Sequence, residues 1–118
     1  MILVFACFCF LYHKFVFDDI IVCMNKQIIN GEEITTLFEN EKIRIETILS
    51  FGNSSPDDFW YCQDEDEWVL LTNGNAKIQF EDCEKHLCKD DHMLIPAYKK
   101  HRVSHTSDDA EWLCVFIK

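Results

Sequence analysis

Hydrophobic and polar residues alternate along most of the chain and predict a series of short β-strands. The clearest alternation spans residues 42–50, where one face of an extended segment would carry Ile43, Ile45, Thr47 and Leu49. Further strands are predicted at residues 34–38, 59–63, 68–72, 76–80, 84–88, 92–95, 100–106 and 111–117. Eight or nine short strands with turn signals about every 8–12 residues, and no convincing helix, predict an all-β sandwich or barrel.

Turn residues separate these strands. Asn73-Gly74 lies between two alternating segments and predicts a β-hairpin that joins them. The stretch from residue 25 to 33 is polar and contains Asn30-Gly31, so we expect it to be rich in turns. Residues 52–58 predict a loop, and Pro96 should end the strand before it because proline cannot donate a ladder hydrogen bond.

The first 23 residues do not share this pattern. The first twelve carry no charge, but that run is shorter than the roughly 18–20 apolar residues needed to span a bilayer. No basic residue precedes it and no small-residue cleavage site follows it, so it is a poor signal peptide. We expect Met24 to be the natural start and residues 1–23 to come from an over-extended reading frame. A cleaved or anchoring apolar segment and an additional strand or helix are the alternatives.

Composition limits the class of protein. Residues 24–118 are long enough for a single domain with one core, and the hydrophobic content of 48% is typical of a globular chain. The net charge of −10 argues against nucleic-acid and membrane partners, which require a basic surface. Seven cysteines at irregular spacing indicate reduced thiols and therefore a cytoplasmic location.

Glu67 is the residue that needs a special explanation. It directly precedes the apolar run 68–71, which predicts a mostly buried strand. A carboxylate buried there is costly unless another group compensates its charge. A cation held together with the segment 96–101 would compensate it. An ion pair with Lys99, Lys100 or Arg102 would do the same.

Two motifs in the chain resemble those of the cupin superfamily, whose members are double-stranded β-helix or jelly-roll barrels. Glu67, six residues and Gly74 match the end of the first motif. Asp90, five residues, Pro96 and then Tyr98 and His101 match the second motif, and His101 falls on its metal-binding histidine. The resemblance covers roughly residues 42–118. Over this range the chain is similar to small single-domain bacterial cupins of the phosphomannose-isomerase-like type.

The chain departs from these motifs in several places. Tyr61 and Gln63 stand where the family usually has two histidines, so there is no His-x-His. Asp90 and Tyr98 replace two glycines of the second motif, and His105 stands where an asparagine is common. The usual site of three histidines and one glutamate is therefore absent as such.

The remaining residues still predict a candidate metal site. If residues 61–67 formed one continuous strand, Tyr61, Gln63, Glu65 and Glu67 would share a face. Together with His101, these oxygen and nitrogen donors suit Fe(II), Mn(II), Ni(II) or Zn(II). The resemblance implies Glu67 and His101 as the firm ligands, with Gln63 weaker and Tyr61 completing the shell. Trp60, His105 and Arg102 are the candidate substrate-pocket residues.

Each of these residues also has a purely structural interpretation. Glu67 can form an ion pair, His101 can be a hydrogen-bonded histidine, and Gln63 and Tyr61 can line the wall of a pocket. Cys83, Cys88 and His92 invite a zinc interpretation, but their spacing fits no standard zinc finger. Cys62 neighbours the candidate site, yet no nearby residue supplies an activating base.

The functional expectation is a cupin that binds a divalent metal and a small polar molecule in the barrel mouth. If the protein is an enzyme, the resemblance implies metal-assisted isomerisation or dioxygenase-type chemistry, although this fold hosts many activities. The alternative is a metal-free cupin that binds a small ligand or serves a structural role, which the missing His-x-His supports. A homodimer that pairs through sheet edges is a further expectation.

Overall fold

The structure is a computed structural model that describes residues 25–118, so the expectation about residues 1–23 lies outside the described residues. Nine β-strands and no helix make up this part of the chain. The strands are β1 (Asn25–Ile29), β2 (Glu32–Glu39), β3 (Ile43–Leu49), β4 (Asp66–Asn73), β5 (Asn75–Phe80), β6 (Glu84–Cys88), β7 (His92–Ile95), β8 (His101–Thr106) and β9 (Glu111–Ile117). Within these residues there is no helix of the length and apolarity needed to cross a membrane.

Two antiparallel sheets form the domain. The larger sheet has the order β1-β2-β3-β9-β4-β7, and the smaller one has the order β6-β5-β8. Strands β4 and β9 pair along seven positions in the middle of the larger sheet. The predicted all-β architecture is therefore confirmed.

The hydrophobic core lies between the two sheets. Alternate residues of β5 and β9 are buried, as expected for strands with one face turned inward. Leu71 and Ile78, from opposite sheets, are almost completely shielded from solvent. The buried apolar set comprises Val69, Leu71, Ala76, Ile78, Phe80, Leu87, Ile95, Ala110, Trp112, Cys114 and Phe116.

The hairpin predicted at Asn73-Gly74 is wrong. Strand β4 pairs with β7 and β9, whereas β5 pairs with β6 and β8, so the two strands belong to different sheets. The chain crosses from one sheet to the other at Gly74, whose φ is +79°. An Asn-Gly pair indicates a backbone that needs positive φ, but it does not specify which strands pair on either side.

Two other local predictions also need correction. Residues 59–63 do not form a strand; Tyr61 makes only an isolated antiparallel bridge to His101. Residues 25–29, expected to be turn-rich, form the strand β1, which pairs with β2 across a turn at Asn30 and Gly31. Every residue of β1 is exposed, so no buried face produced an alternating pattern in the sequence.

Asp90 and Tyr98 occupy left-handed backbone conformations, with φ of 76° and 64°. The amide of Asp90 donates to the carbonyl of Leu71, and the amide of Tyr98 donates to the carbonyl of Gln63, both at 2.7 Å. Glycine is the residue best suited to positive φ. The two positions where the resembled motif has glycine thus keep a glycine-like backbone despite their side chains.

Candidate functional site

A cavity of about 190 Å³ lies between the two sheets. Apolar side chains form much of its wall, among them Ile34, Ile48, Val69, Ile78 and Trp112. The polar and ionisable side chains that line it are Glu32, Glu46, Tyr61, Gln63, Glu67 and His101. The cavity therefore combines an apolar wall with a small number of polar groups.

Glu67 and His101 meet at this cavity. Glu67 lies near the start of β4, and His101 is the first residue of β8 on the opposite sheet. The Nε2 atom of His101 is 3.5 Å from Oε1 of Glu67, and the amide of Gln63 donates to the same oxygen at 3.0 Å. Only 6% of the His101 side chain and 13% of the Glu67 side chain are exposed, so the pair is largely shielded from water.

The backbone orients the His101 ring. Its Nδ1 atom lies 2.9 Å from the carbonyl oxygen of Lys99. Because a carbonyl can only accept, Nδ1 carries a proton and Nε2 faces Glu67. Burial by itself lowers the pKa of His101, but the hydrogen bonds to Glu67 and Lys99 and the charge of Glu67 outweigh it and raise that pKa.

We expect this pair to make stability depend on pH. The pKa of His101 is above its ordinary value of 6.5, so the protonated imidazole beside Glu67 makes its full contribution to the free energy of unfolding below pH 6.5. It is lost as the pH rises through the higher folded pKa. Glu67→Gln should lower the pKa of His101 and flatten this loss, which an NMR titration of the imidazole and thermal unfolding at a series of pH values would measure.

Glu65→Gln provides the control for this prediction. It removes a neighbouring carboxylate that contacts Arg44 instead of His101. We expect the His101 titration to be unchanged in this variant. An imidazole midpoint that stays at the wild-type value in Glu67→Gln would contradict the proposed coupling.

Tyr61 lies beside this pair as a neutral phenol. Its ring is 5.8 Å from that of His101 and packs edge-on against Phe59 at 4.8 Å. Burial raises the pKa of Tyr61, and the charges of Glu32 and Glu67 raise it further, against a hydrogen bond from Ser55. The deprotonated form that would bind a metal is therefore disfavoured.

Glu32 also lines the cavity, although no pattern in the sequence pointed to it. This residue begins β2, and its Oε2 accepts a hydrogen bond from the Ser50 hydroxyl at 2.6 Å. The indole of Trp112 donates in turn to the Ser50 oxygen at 3.0 Å. Burial raises the pKa of Glu32, although the Ser50 hydrogen bond opposes the shift. The segment 25–33 is polar and contains Asn30-Gly31, so the sequence predicts turns there and gives no signal for Glu32.

Glu46 was also missed, although the alternation of β3 contained a signal. Glu46 and Ile48 share the face that lines the cavity, opposite to the Ile43 and Ile45 face. Arg44 donates to Glu46 at 2.9 Å and to Glu65 at 3.4 Å. An internal arginine with a glutamate two residues later could have indicated a compensated acid on that face.

The structure does not place the other predicted residues in this cavity. Glu65 contacts Arg44, because residues 61–67 are not one continuous strand. Trp60 and Arg102 line a second cavity of about 370 Å³, and His105 is exposed and lines neither. Arg102 is held by the carbonyl oxygens of Ser55 and Pro56 and by Gln79.

The alternative partners proposed for Glu67 are engaged elsewhere. Lys99 lies over the ring of Phe80 at 5.4 Å, and Lys100 is 3.7 Å from Glu81. Cys62 is exposed, and its sulfur lies 3.6 Å from the carbonyl oxygen of Tyr98. His101 and Gln63 are thus the groups that contact the Glu67 carboxylate.

A resident divalent metal fits these residues poorly. Open metal sites usually provide about three protein ligands, whereas the predicted site has one strong carboxylate donor, Glu67, and one imidazole, His101. The amide nitrogen of Gln63 already points at Glu67. Across residues 25–118, no group of three or more His, Cys, Asp or Glu side chains is arranged to hold a metal ion.

Comparison with known proteins identifies similar structures. No protein-family model matches the chain, and no curated protein does. A candidate mannose-6-phosphate isomerase from Ralstonia eutropha is 33% identical, with 77% of this chain and 91% of that chain covered and a TM-score of 0.71. A cupin superfamily protein from Desulfitobacterium hafniense is 21% identical over 75% and 78% of the two chains, with a TM-score of 0.65. An RmlC-like cupin from Shewanella frigidimarina is 13% identical over 81% and 83%, with a TM-score of 0.68.

Proposed function

The chain belongs to the cupin superfamily, and on this basis we propose that it binds a small polar molecule in the cavity between its sheets. The observation that carries the proposal is the cavity itself, which joins an apolar wall to convergent polar groups. Small-molecule sites have this composition. Its volume of about 190 Å³ is below the roughly 300–1,000 Å³ of sites for drug-sized ligands, so the ligand is small.

The contacts of Glu67 support binding without a metal. Gln63 and His101 both approach the Oε1 atom of Glu67, at 3.0 and 3.5 Å. These polar partners compensate the carboxylate in the way that buried charges require. A neutral or charged ligand could then contact the same groups directly from the cavity.

Ligand-observed NMR with a panel of small polar compounds tests the proposal. We expect binding signals with the wild-type protein and their loss in Ile34→Phe, because Ile34 lines the cavity and a larger side chain would fill it. Ile28→Phe is the matched control, since Ile28 is 66% exposed and does not line the cavity. Absence of signals with the folded wild-type protein, or equal signals in Ile34→Phe, would contradict the proposal.

A divalent cation between Glu67 and His101 is the second candidate. The observation in its favour is the Nδ1 hydrogen bond to the Lys99 carbonyl, because metal-binding histidines usually anchor their other nitrogen in this way. Elemental analysis of protein purified without a metal-chelating tag separates the candidates. Metal near one equivalent per chain, lost in Glu67→Gln and His101→Gln, would favour the cation; background metal would favour binding without it.

Homodimer formation and a cytoplasmic location remain predictions. The edge strand β1 is exposed along its whole length, with Ile28 and Ile29 among its side chains. Such an edge is suited to pairing with a second copy.

A further inference from the structure

We propose that the molecule bound in this cavity carries a positively charged group, of the primary ammonium class, that pairs with Glu32. This inference rests on the proposed function, because it assigns a chemical class to the ligand of the same cavity. It follows from how each carboxylate at the cavity is, or is not, compensated by the protein.

Three carboxylates line the cavity, and two of them lie within ion-pair distance of a basic side chain. Glu46 pairs with Arg44 at 2.9 Å. Glu67 receives the amide of Gln63 and faces the imidazole of His101. No lysine or arginine within the described part of the chain contributes to the lining. The third carboxylate, Glu32, therefore decides what charge the cavity favours.

Glu32 has a polar partner but no cationic one. Its Oε2 accepts from Ser50, and in the segment 25–118 no Lys, Arg or His side chain lies within ion-pair distance of it. Ser50 is fully buried and is itself fixed by Trp112, so the Glu32 carboxylate is held in place. A partly buried carboxylate without a countercharge is unfavourable, and a ligand cation would supply that charge.

The surroundings of Tyr61, which also lines the cavity, show the same excess of negative charge. The charges of both Glu32 and Glu67 act on its hydroxyl and oppose its ionisation. Tyr61 and Trp112 also present aromatic rings to the cavity lining. Aromatic faces attract cations, so the wall and the carboxylates favour the same class of ligand.

Anionic ligands are correspondingly disfavoured. A phosphate group in the cavity would meet Glu32 and Glu67 without a lysine or arginine to bind it. The basic residues that flank His101 in sequence are engaged elsewhere: Lys99 lies over Phe80, Lys100 lies 3.7 Å from Glu81, and Arg102 donates to the carbonyl oxygens of Ser55 and Pro56. The cavity thus differs from a site built for a sugar phosphate.

The test uses matched compounds that differ in charge. Glucosamine, glucose and glucuronate form one series, and ethanolamine, ethylene glycol and glycolate form a smaller one, each measured by ligand-observed NMR and calorimetry with EDTA present. We expect binding in the amine arm. In Glu32→Gln the amine affinity should fall roughly tenfold to a hundredfold.

Glu33→Gln is the matched control. Glu33 is the next residue of the same strand, it does not line the cavity, and it pairs with Lys26 at 2.7 Å. Amine binding should be unchanged in this variant. Glu32→Gln should remain folded by circular dichroism, because glutamine can still accept the Ser50 hydrogen bond and removes a partly buried charge.

The outcomes separate this inference from the proposed function. Binding by the neutral or acidic compounds instead of the amines would overturn the charge assignment and leave small-molecule binding in place. Amine affinity that is equal in the wild type and Glu32→Gln would also overturn it. Absence of binding in every arm by the folded wild-type protein would overturn the inference and the proposed function together.

Discussion

Gly74→Ala is expected to destabilise the protein by about 3–5 kcal/mol, as measured by urea unfolding. Gly74 has a φ of +79°, where an alanine is strained by about 1–2 kcal/mol. The added Cβ would also lie 2.8 Å from the Cα atom of Ala110 and would contact the Ser107 hydroxyl. Ala110 is buried, so its backbone cannot move aside easily. Gly74 is also the residue at which the chain passes from one sheet to the other.

Gly52→Ala is the matched control for this prediction. Gly52 has the same φ of +79°, but a Cβ there would meet only the end of the Asp108 side chain at 2.6 Å. That carboxylate can rotate away, so the expected loss is about 1–2 kcal/mol from the backbone conformation alone. Equal losses in the two variants would show that the contact with Ala110 contributes nothing.

Ser50→Ala is expected to reduce the free energy of unfolding by about 2–4 kcal/mol. The Ser50 hydroxyl is the acceptor for the buried Trp112 indole and the donor to Glu32. Removing it leaves one buried donor without an acceptor and one carboxylate without a donor, and each such group costs about 1–3 kcal/mol. Chemical denaturation followed by tryptophan fluorescence measures the loss.

A double-mutant cycle with Trp112→Phe tests the cause of this loss. Phenylalanine has no N–H, so the Ser50→Ala substitution leaves no orphan donor in that background. We expect the cost of Ser50→Ala to be smaller there by about 1 kcal/mol or more. If the cost is the same in both backgrounds, the Trp112 hydrogen bond does not contribute to stability.

Local pattern was sufficient to predict most of the strands. Residues of β5 and β9 are alternately buried because one face of each strand is turned to the core, and this period of two is visible in the sequence. In β3 every residue is half-buried, and the face of Ile43 and Ile45 is opposite to the one that lines the cavity. The strand β1 was missed because it is exposed on both faces. Residues 59–63 were overpredicted because aromatic side chains favour strands even where only a single bridge forms.

Part of the candidate site could also be predicted, and part could not. The resemblance of two short motifs placed Glu67 and His101 together, and the structure brings them to 3.5 Å. Glu32 was not predictable, because its hydrogen-bond donor Ser50 lies 18 residues further along the chain, and Trp112, which holds Ser50, lies 62 residues beyond Ser50. Gly74 was recognised as a turn but assigned to the wrong pairing.

The amino-acid pattern was enough to predict the all-β class, the position of most strands and, through the resemblance of two motifs, the meeting of Glu67 and His101 at the cavity. These features depend on side-chain periodicity and on short motifs, which are local properties of the chain. The strand pairing and the set of acidic residues that line the cavity became visible only in the folded molecule. The free-energy cost of a charge depends on its surroundings, and segments distant in sequence create those surroundings when the two sheets pack together.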